Sequence, residues 1–267
     1  MNSKSPDKSG LSAGGRPVWA FTLLELLVVI GIIGVLASIS VPALKGFGRA
    51  NKVAAAGRQM LDDLGFARLS AINARSRMYM VFMPPLNQLP YNLFTPEEIK
   101  EYTNNLITLQ YSSYALVAQR SLGDQPGQDN SRYLTEWKQL PEGMVFSPEK
   151  FFNLNNTTAW DNLVDITNRP FLYIEIPFPL STSPKRLLPA VAFNAQGQLD
   201  YTNFDPFRGD QIVTLAEGSV FVPRNKERKP VLEPADVVIK PNATNESVKI
   251  RINRITGRAN VERADMP

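Results

Sequence analysis

Residues Phe21–Val41 read FTLLELLVVIGIIGVLASISV, 21 positions that hold a single charge, Glu25. A helix of that length rises roughly 31 Å, enough to cross a hydrocarbon core. The run is longer than the apolar region of a secretory signal peptide, about 7–15 residues, so a transmembrane span over 21–41 is the first expectation. An uncleaved signal anchor is the plainer form of the same reading. A carboxylate in such a run is costly and calls for a cationic partner. Were the chain cut before Phe21, a new α-ammonium would lie one helical turn from Glu25, and a neighbouring subunit's ammonium could neutralise it.

Downstream of Pro42 the helical pattern resumes. Met60, Leu61, Leu64, Ala67, Ala71 and Ile72 recur at three- and four-residue intervals, the mark of a helix with one buried face. Arg58 and Asp62 lie off that stripe at the spacing of a favourable pair. One long helix over 21–77 is expected, with Gly31, Gly34 and Pro42 as points of bending. Gly34 and Ser38 form a small-xxx-small pair that would let helices approach closely.

Beyond Met78 the periodicity shortens. Tyr79–Met83, Ile107–Ala118, Gly143–Ser147, Phe171–Pro177, Ala190–Asn194, Gln211–Ala216, Ser219–Val222 and Val248–Ile255 are β-rich runs bounded by turn residues. Thr256-Gly257 can turn the last of them into a hairpin with Arg258–Glu262. The fold class expected is α+β, a long N-terminal helix with a transmembrane first half packed on an antiparallel β-sheet. Domain organisation follows: a basic leader 1–20, the helix 21–77, and a globular β-rich domain 78–267. Pro223–Pro241, rich in proline and charge, is expected to be an exposed loop.

Composition closes off most chemistry. The 267 residues carry a net charge of +4 and contain neither cysteine nor histidine. Disulfides and thiolate sites are excluded, together with the commonest general base and transition-metal ligand. Gly10-Leu-Ser12-Ala-Gly14 spells a nucleophile elbow but has no histidine to serve it, and Ser147-Pro-Glu-Lys150 has no companion motif. An enzyme is therefore not expected.

The stretch Ala20–Ile30, AFTLLELLVVI, resembles the class III signal of type IV prepilins and type II secretion pseudopilins. The resemblance implies a peptidase that cuts between Ala20 and Phe21 and methylates the new amine. Members usually carry Gly before the cut, and Ala20 is a small residue in its place. Glu25 becomes the fifth residue after the cut and Pro42 the twenty-second, where members commonly carry Glu and Pro. Phe21, Glu25 and Pro42 are thereby the expected assembly residues.

Weaker motifs follow in a shared order: Met60–Arg77, then Leu140–Phe146 (LPEGMVF), Ala192–Gly197 (AFNAQG) and the closing Ile250–Val261. They are similar to H-type minor pseudopilins and their fimbrial relatives, against which 84–105 and 121–158 look like insertions. The implied function is a structural subunit of a type II secretion or type IV pilus-like filament, assembled through its N-terminal helix. A filament-borne binding module, an adhesin or DNA-uptake pilin, is the alternative. Implied partners are other pilin or pseudopilin subunits, the prepilin peptidase and methylase, an inner-membrane assembly platform and membrane lipid. The implied location is the bacterial inner membrane, single-pass, with a cytoplasmic N-terminus and a periplasmic C-terminal domain.

Two further groups bear on ligands. Asp200, Asn203, Asp205 and Asp210 could offer oxygens to Ca²⁺; their spacing is not that of an EF-hand, and solvated loop carboxylates are the simpler reading, so no cofactor is expected. Lys249, Arg251, Arg254 and Arg258 make the C-terminus basic and could meet phosphates. Interrupting glutamates favour a solvated sheet face, and DNA is the disfavoured partner.

Overall fold

Ala56, Met60, Leu64, Ala67 and Ala71 are fully buried and form one stripe of helix α1, Leu23–Ala74. The computed structural model describes residues 22–120, 124, 130–151, 170–201, 209–240 and 247–262, with side chains undescribed at 39–50. Two compact units divide the chain, 1–48 and 49–267, and α1 contributes residues to both. The helix ends in a Schellman motif. Arg75, at φ 47°, takes the left-handed position usually held by glycine, its N–H donates to the Ile72 carbonyl, and the Ser76 N–H reaches back to Ala71.

Several expectations are corrected here. Among the described residues no helix is long and apolar enough to cross a membrane. The apolar stretch of α1 whose side chains are described, Leu23–Ala37, rises roughly 22 Å against the ~30 Å of a hydrocarbon core. That finding overturns the span over 21–41, the helix with a transmembrane first half, and the single-pass inner-membrane location. The single sheet is overturned too, because the strands form two.

The strands of the second unit are β1 (Met78–Phe82), β2 (Ser113–Ala118), β3 (Arg132–Tyr133), β4 (Lys138–Gln139), β5 (Met144–Phe146), β6 (Leu172–Pro177), β7 (Lys185–Phe193), β8 (Gln211–Phe221), β9 (Asp236–Ile239), β10 (Val248–Ile252) and β11 (Ala259–Glu262). Sheet one runs β3-β2-β1-β7-β6 with β4 also on β2; sheet two runs β11-β10-β8-β5 with β9 also on β8. All pairings are antiparallel. Alternation sorts the side chains. Met78, Met80, Phe82, Val191 and Phe193 of sheet one share a core with Val213, Leu215, Ile250 and Ile252 of sheet two and with the stripe of α1.

The opposite face of sheet one is buried as well, which is why β1 reads MYMVF without a polar residue. Tyr79, Val81, Leu188 and Ala190 there meet Leu86, Phe94, Tyr102, Leu106 and Ile107 from the segment after β1. The stretch that looked like an insertion over 84–105 is thus the cover of a second core. It contains helix α2, Pro96–Glu101, opened by a capping box in which the Thr95 hydroxyl accepts from the Glu98 N–H and the Glu98 carboxylate accepts from the Thr95 N–H. Ile107–Leu109, expected as strand, is a 3-10 turn. Pro223–Pro241, expected as loop, contains β9, and Gln211–Ala216 with Ser219–Val222 join as one strand, β8. Of the second expected insertion, 121–123, 125–129 and 152–158 lie outside the described residues, and β3, β4 and β5 lie within the rest.

Polar contacts dock α1 on both sheets. The Tyr114 hydroxyl donates to Asp63 at 2.5 Å, Lys138 Nζ pairs with the same carboxylate at 2.7 Å, and Arg68 Nε donates to the Thr256 carbonyl at 2.6 Å. The last contact sits beside two stacked turns. Asn194 Oδ1 accepts from the Gln196 and Gln198 amides, Asn253 Oδ1 from the Ile255 and Thr256 amides, and each turn holds a left-handed glycine, Gly197 or Gly257. A Cβ on Gly257 would lie 1.9 Å from the Gly197 carbonyl oxygen, and one on Gly197 would lie 2.6 Å from Ile72.

Candidate assembly surface

In the first unit, Thr22 precedes the first turn of α1 and Glu25 is its third residue, a T-x-x-E spacing. The Thr22 hydroxyl accepts from the Glu25 N–H at 3.2 Å, and the Glu25 carboxylate lies 3.5 Å from both the Thr22 N–H and its hydroxyl. Glu25 therefore closes a capping box within its own chain and places negative charge at the positive end of the helix dipole. The sequence reading singled out Glu25 for its charge and overlooked Thr22, although the capping spacing ahead of an apolar run was the signal that identifies it.

Every residue from Thr22 to Ser38 is exposed, so apolar side chains ring the whole circumference of the helix start. Leu27 and Ile33, for example, are 64% and 57% exposed. A helix apolar all round needs a covering partner. A Cβ built on Gly31 or Gly34 meets nothing within 4 Å, and the Ser38 hydroxyl turns back to the Val35 carbonyl at 2.7 Å. The backbone at Pro42 is helical. Ala20 and Phe21, the expected processing residues, lie outside the described residues.

The other two groups are placed differently. Asp200 pairs with Arg77 at 2.5 Å, and Asp210 accepts from Arg251 Nε and from the Arg254 N–H, each at 2.8 Å. Both carboxylates are thus occupied by cationic or amide donors of the chain; Asn203 and Asp205 lie outside the described residues. Arg251 is gripped from two sides, by Asp210 and by Glu262 at 3.0 Å, and the hydrogen bond and charge of Asp210 lead in raising its pKa. Lys249 shares the outward face of β10 with Arg251, whereas Arg254 and Arg258 stand in the turn to β11. The four form no common row.

Comparison of the chain with protein-family models, with curated proteins and with solved structures finds no match.

Proposed function

We propose that this chain is a structural subunit of a filament of the type II secretion or type IV pilus kind, processed ahead of Phe21 and assembled through its N-terminal helix. The observation that carries the reading is the helix start itself, capped by Thr22 and Glu25 and apolar around its full circumference. Such a surface is satisfied by packing among like helices, and Glu25 is placed at the end where a neighbour's α-ammonium would arrive after cleavage. The absence of histidine and cysteine supports a structural role over a catalytic one. The partners proposed are other subunits of the same kind and a prepilin peptidase. Assembly would bury the ring of Leu, Ile and Val side chains, and removal of that apolar surface from water is the favourable term in such an association.

The test is N-terminal sequencing and intact mass of the protein recovered from its own host. A start at Phe21 carrying one additional methyl group supports the reading. A start at Met1, in cells that process other prepilins, removes it.

A further inference from the structure

Among the described residues, sheet two leaves one stretch of strand edge unpaired. β8 meets β5 through its even-numbered residues: the Ser147 N–H donates to the Thr214 carbonyl and the Gly218 N–H to the Gly143 carbonyl. Its odd-numbered residues face the other side, where β9 takes over beyond β10 and the Lys240 N–H donates to the Glu217 carbonyl. Along a strand the N–H and C=O of residues two apart point the same way, so those of Val220 point to the side of β5. β5 does not reach that far. It begins at Met144, and the chain ahead of it turns away through 141–143 to sheet one, where the Leu140 N–H donates to the Ser112 carbonyl. The place beside Val220 is a cleft of about 400 Å³, with Gly218, Ser219 and Val220 on one wall and Ser112, Gln139 and Leu140 on the other. Lys52 of α1 also lines it, and its Nζ stands 3.9 Å from the point a Cβ on Gly143 would occupy. Among the described residues neither Lys52 nor Glu142 on the rim has a hydrogen bond or ion pair, whereas Glu217 of β8 is held by Lys240.

We infer that this cleft captures the C-terminus of a partner chain, laid as one more short strand against β8 with its terminal carboxylate on the Lys52 ammonium. An open strand edge is a template for a further strand, and main-chain bonds supply the affinity. The added segment continues the line of β5, antiparallel to β8, along the three residues Gly218–Val220. Its amide and carbonyl groups meet the N–H and C=O of Val220. The line is blocked at Gly143 by β5 itself, so a segment running in the direction of β5 ends there. The unpaired ammonium of Lys52 stands at that end. Laid the other way, the segment would bring its own α-ammonium to Lys52, and like charges repel. The site thus selects a free carboxylate terminus and one strand direction. Leu140 and Val145 in the lining suit apolar side chains on the last residues, and Glu142 on the rim disfavours acidic ones.

Random heptapeptides displayed on phage with free C-termini are selected on the 267-residue chain in mild detergent. The enriched peptide is then synthesised as the free acid and as the C-terminal amide. Fluorescence anisotropy is expected to show binding of the acid and about tenfold weaker binding of the amide. Lys52→Glu, at an exposed position, should weaken binding of the acid by about tenfold as well. Val220→Pro removes the edge N–H without touching the β9 side of the ladder, and should reduce both forms to background. Lys226→Glu, exposed and outside the cleft lining, should bind as the parent chain does. Thermal melting verifies that each variant is folded, and the amide and Lys52→Glu arms stand without Val220→Pro. Enrichment of no sequence, or equal binding of acid and amide, overturns the inference. So does a Lys52→Glu chain that binds the acid as tightly as the parent.

Discussion

Glu25 can be tested apart from the cap it closes, because glutamine serves a capping box as well as glutamate. Glu25→Gln is expected to keep the helix start, read by circular dichroism, while lowering sedimentable filaments about tenfold through loss of the charge. Thr22→Ala is expected to do the reverse, costing about 1 kcal/mol at the helix end with assembly nearly unchanged. Equal assembly defects in both would reduce Glu25 to a cap. At the turn joint, Gly257→Ala places a methyl group against the Gly197 carbonyl at φ +62°, and should lower stability by about 2–4 kcal/mol in a urea titration. Thr256-Gly257 was visible in the sequence as a turn, whereas Asn194 and Asn253 were read as parts of strands that in fact stop at Phe193 and Ile252. That Gly197 and Gly257 stack on one another was not visible, since about 60 positions separate them and nothing local encodes the meeting.

Helix α1 was legible because its stripe of Met60, Leu64, Ala67 and Ala71 repeats over several turns. Its C-terminal stop was harder to read, since Arg75 occupies a position where glycine is the usual signal. Arg75→Gly should therefore stabilise the second unit by about 1 kcal/mol, read as a raised melting midpoint. α2 went unread despite its capping box because six residues carry too short a period to register. Its anchor is an ion pair of two buried side chains, Glu98 and Arg186, 4% and 6% exposed and 3.1 Å apart, with the Arg186 guanidinium also 4.5 Å over the Phe94 ring. Burial alone would raise the Glu98 carboxyl. Hydrogen bonds from Ser183 and the Thr95 amide, with the Arg186 charge, outweigh it and hold the pKa below the usual value. A lowered folded pKa contributes stability that is present above the ordinary glutamate range and lost as pH falls through the folded value. Urea midpoints should thus decline on the acid side of that range. Glu98→Gln should flatten this decline and cost about 3–5 kcal/mol at neutral pH by leaving Arg186 buried without its partner.

At the level of the molecule, the sequence announced one helix and many strands but not the division into two sheets or the second core. Single-face alternation is the pattern that sequence reading recognises. β1 and β2 are buried on both sides, and the apolar runs Met78–Phe82 and Tyr114–Ala118 say nothing about what lies opposite. The segment over 84–105, which looks like an insertion beside a compact pseudopilin, covers Val81, Ile176 and Leu188. Replacing 84–109 with a short Gly/Ser linker should yield a chain that binds a hydrophobic dye and loses cooperative unfolding, where a segment that merely lay on the surface would leave the melt unchanged.

The Arg68–Thr256 contact also bears on the order of folding, since its partners are separated by 188 positions. Helix and β1 through β7 are all synthesised before the turn that clasps α1 to sheet two exists. Until residue 256 has emerged, Gly197 has no stacking partner and Arg68 no carbonyl to meet. The side of the α1 stripe that meets Ile250 and Ile252 has no cover until those residues emerge, so closure of that joint belongs among the last events of the domain's folding.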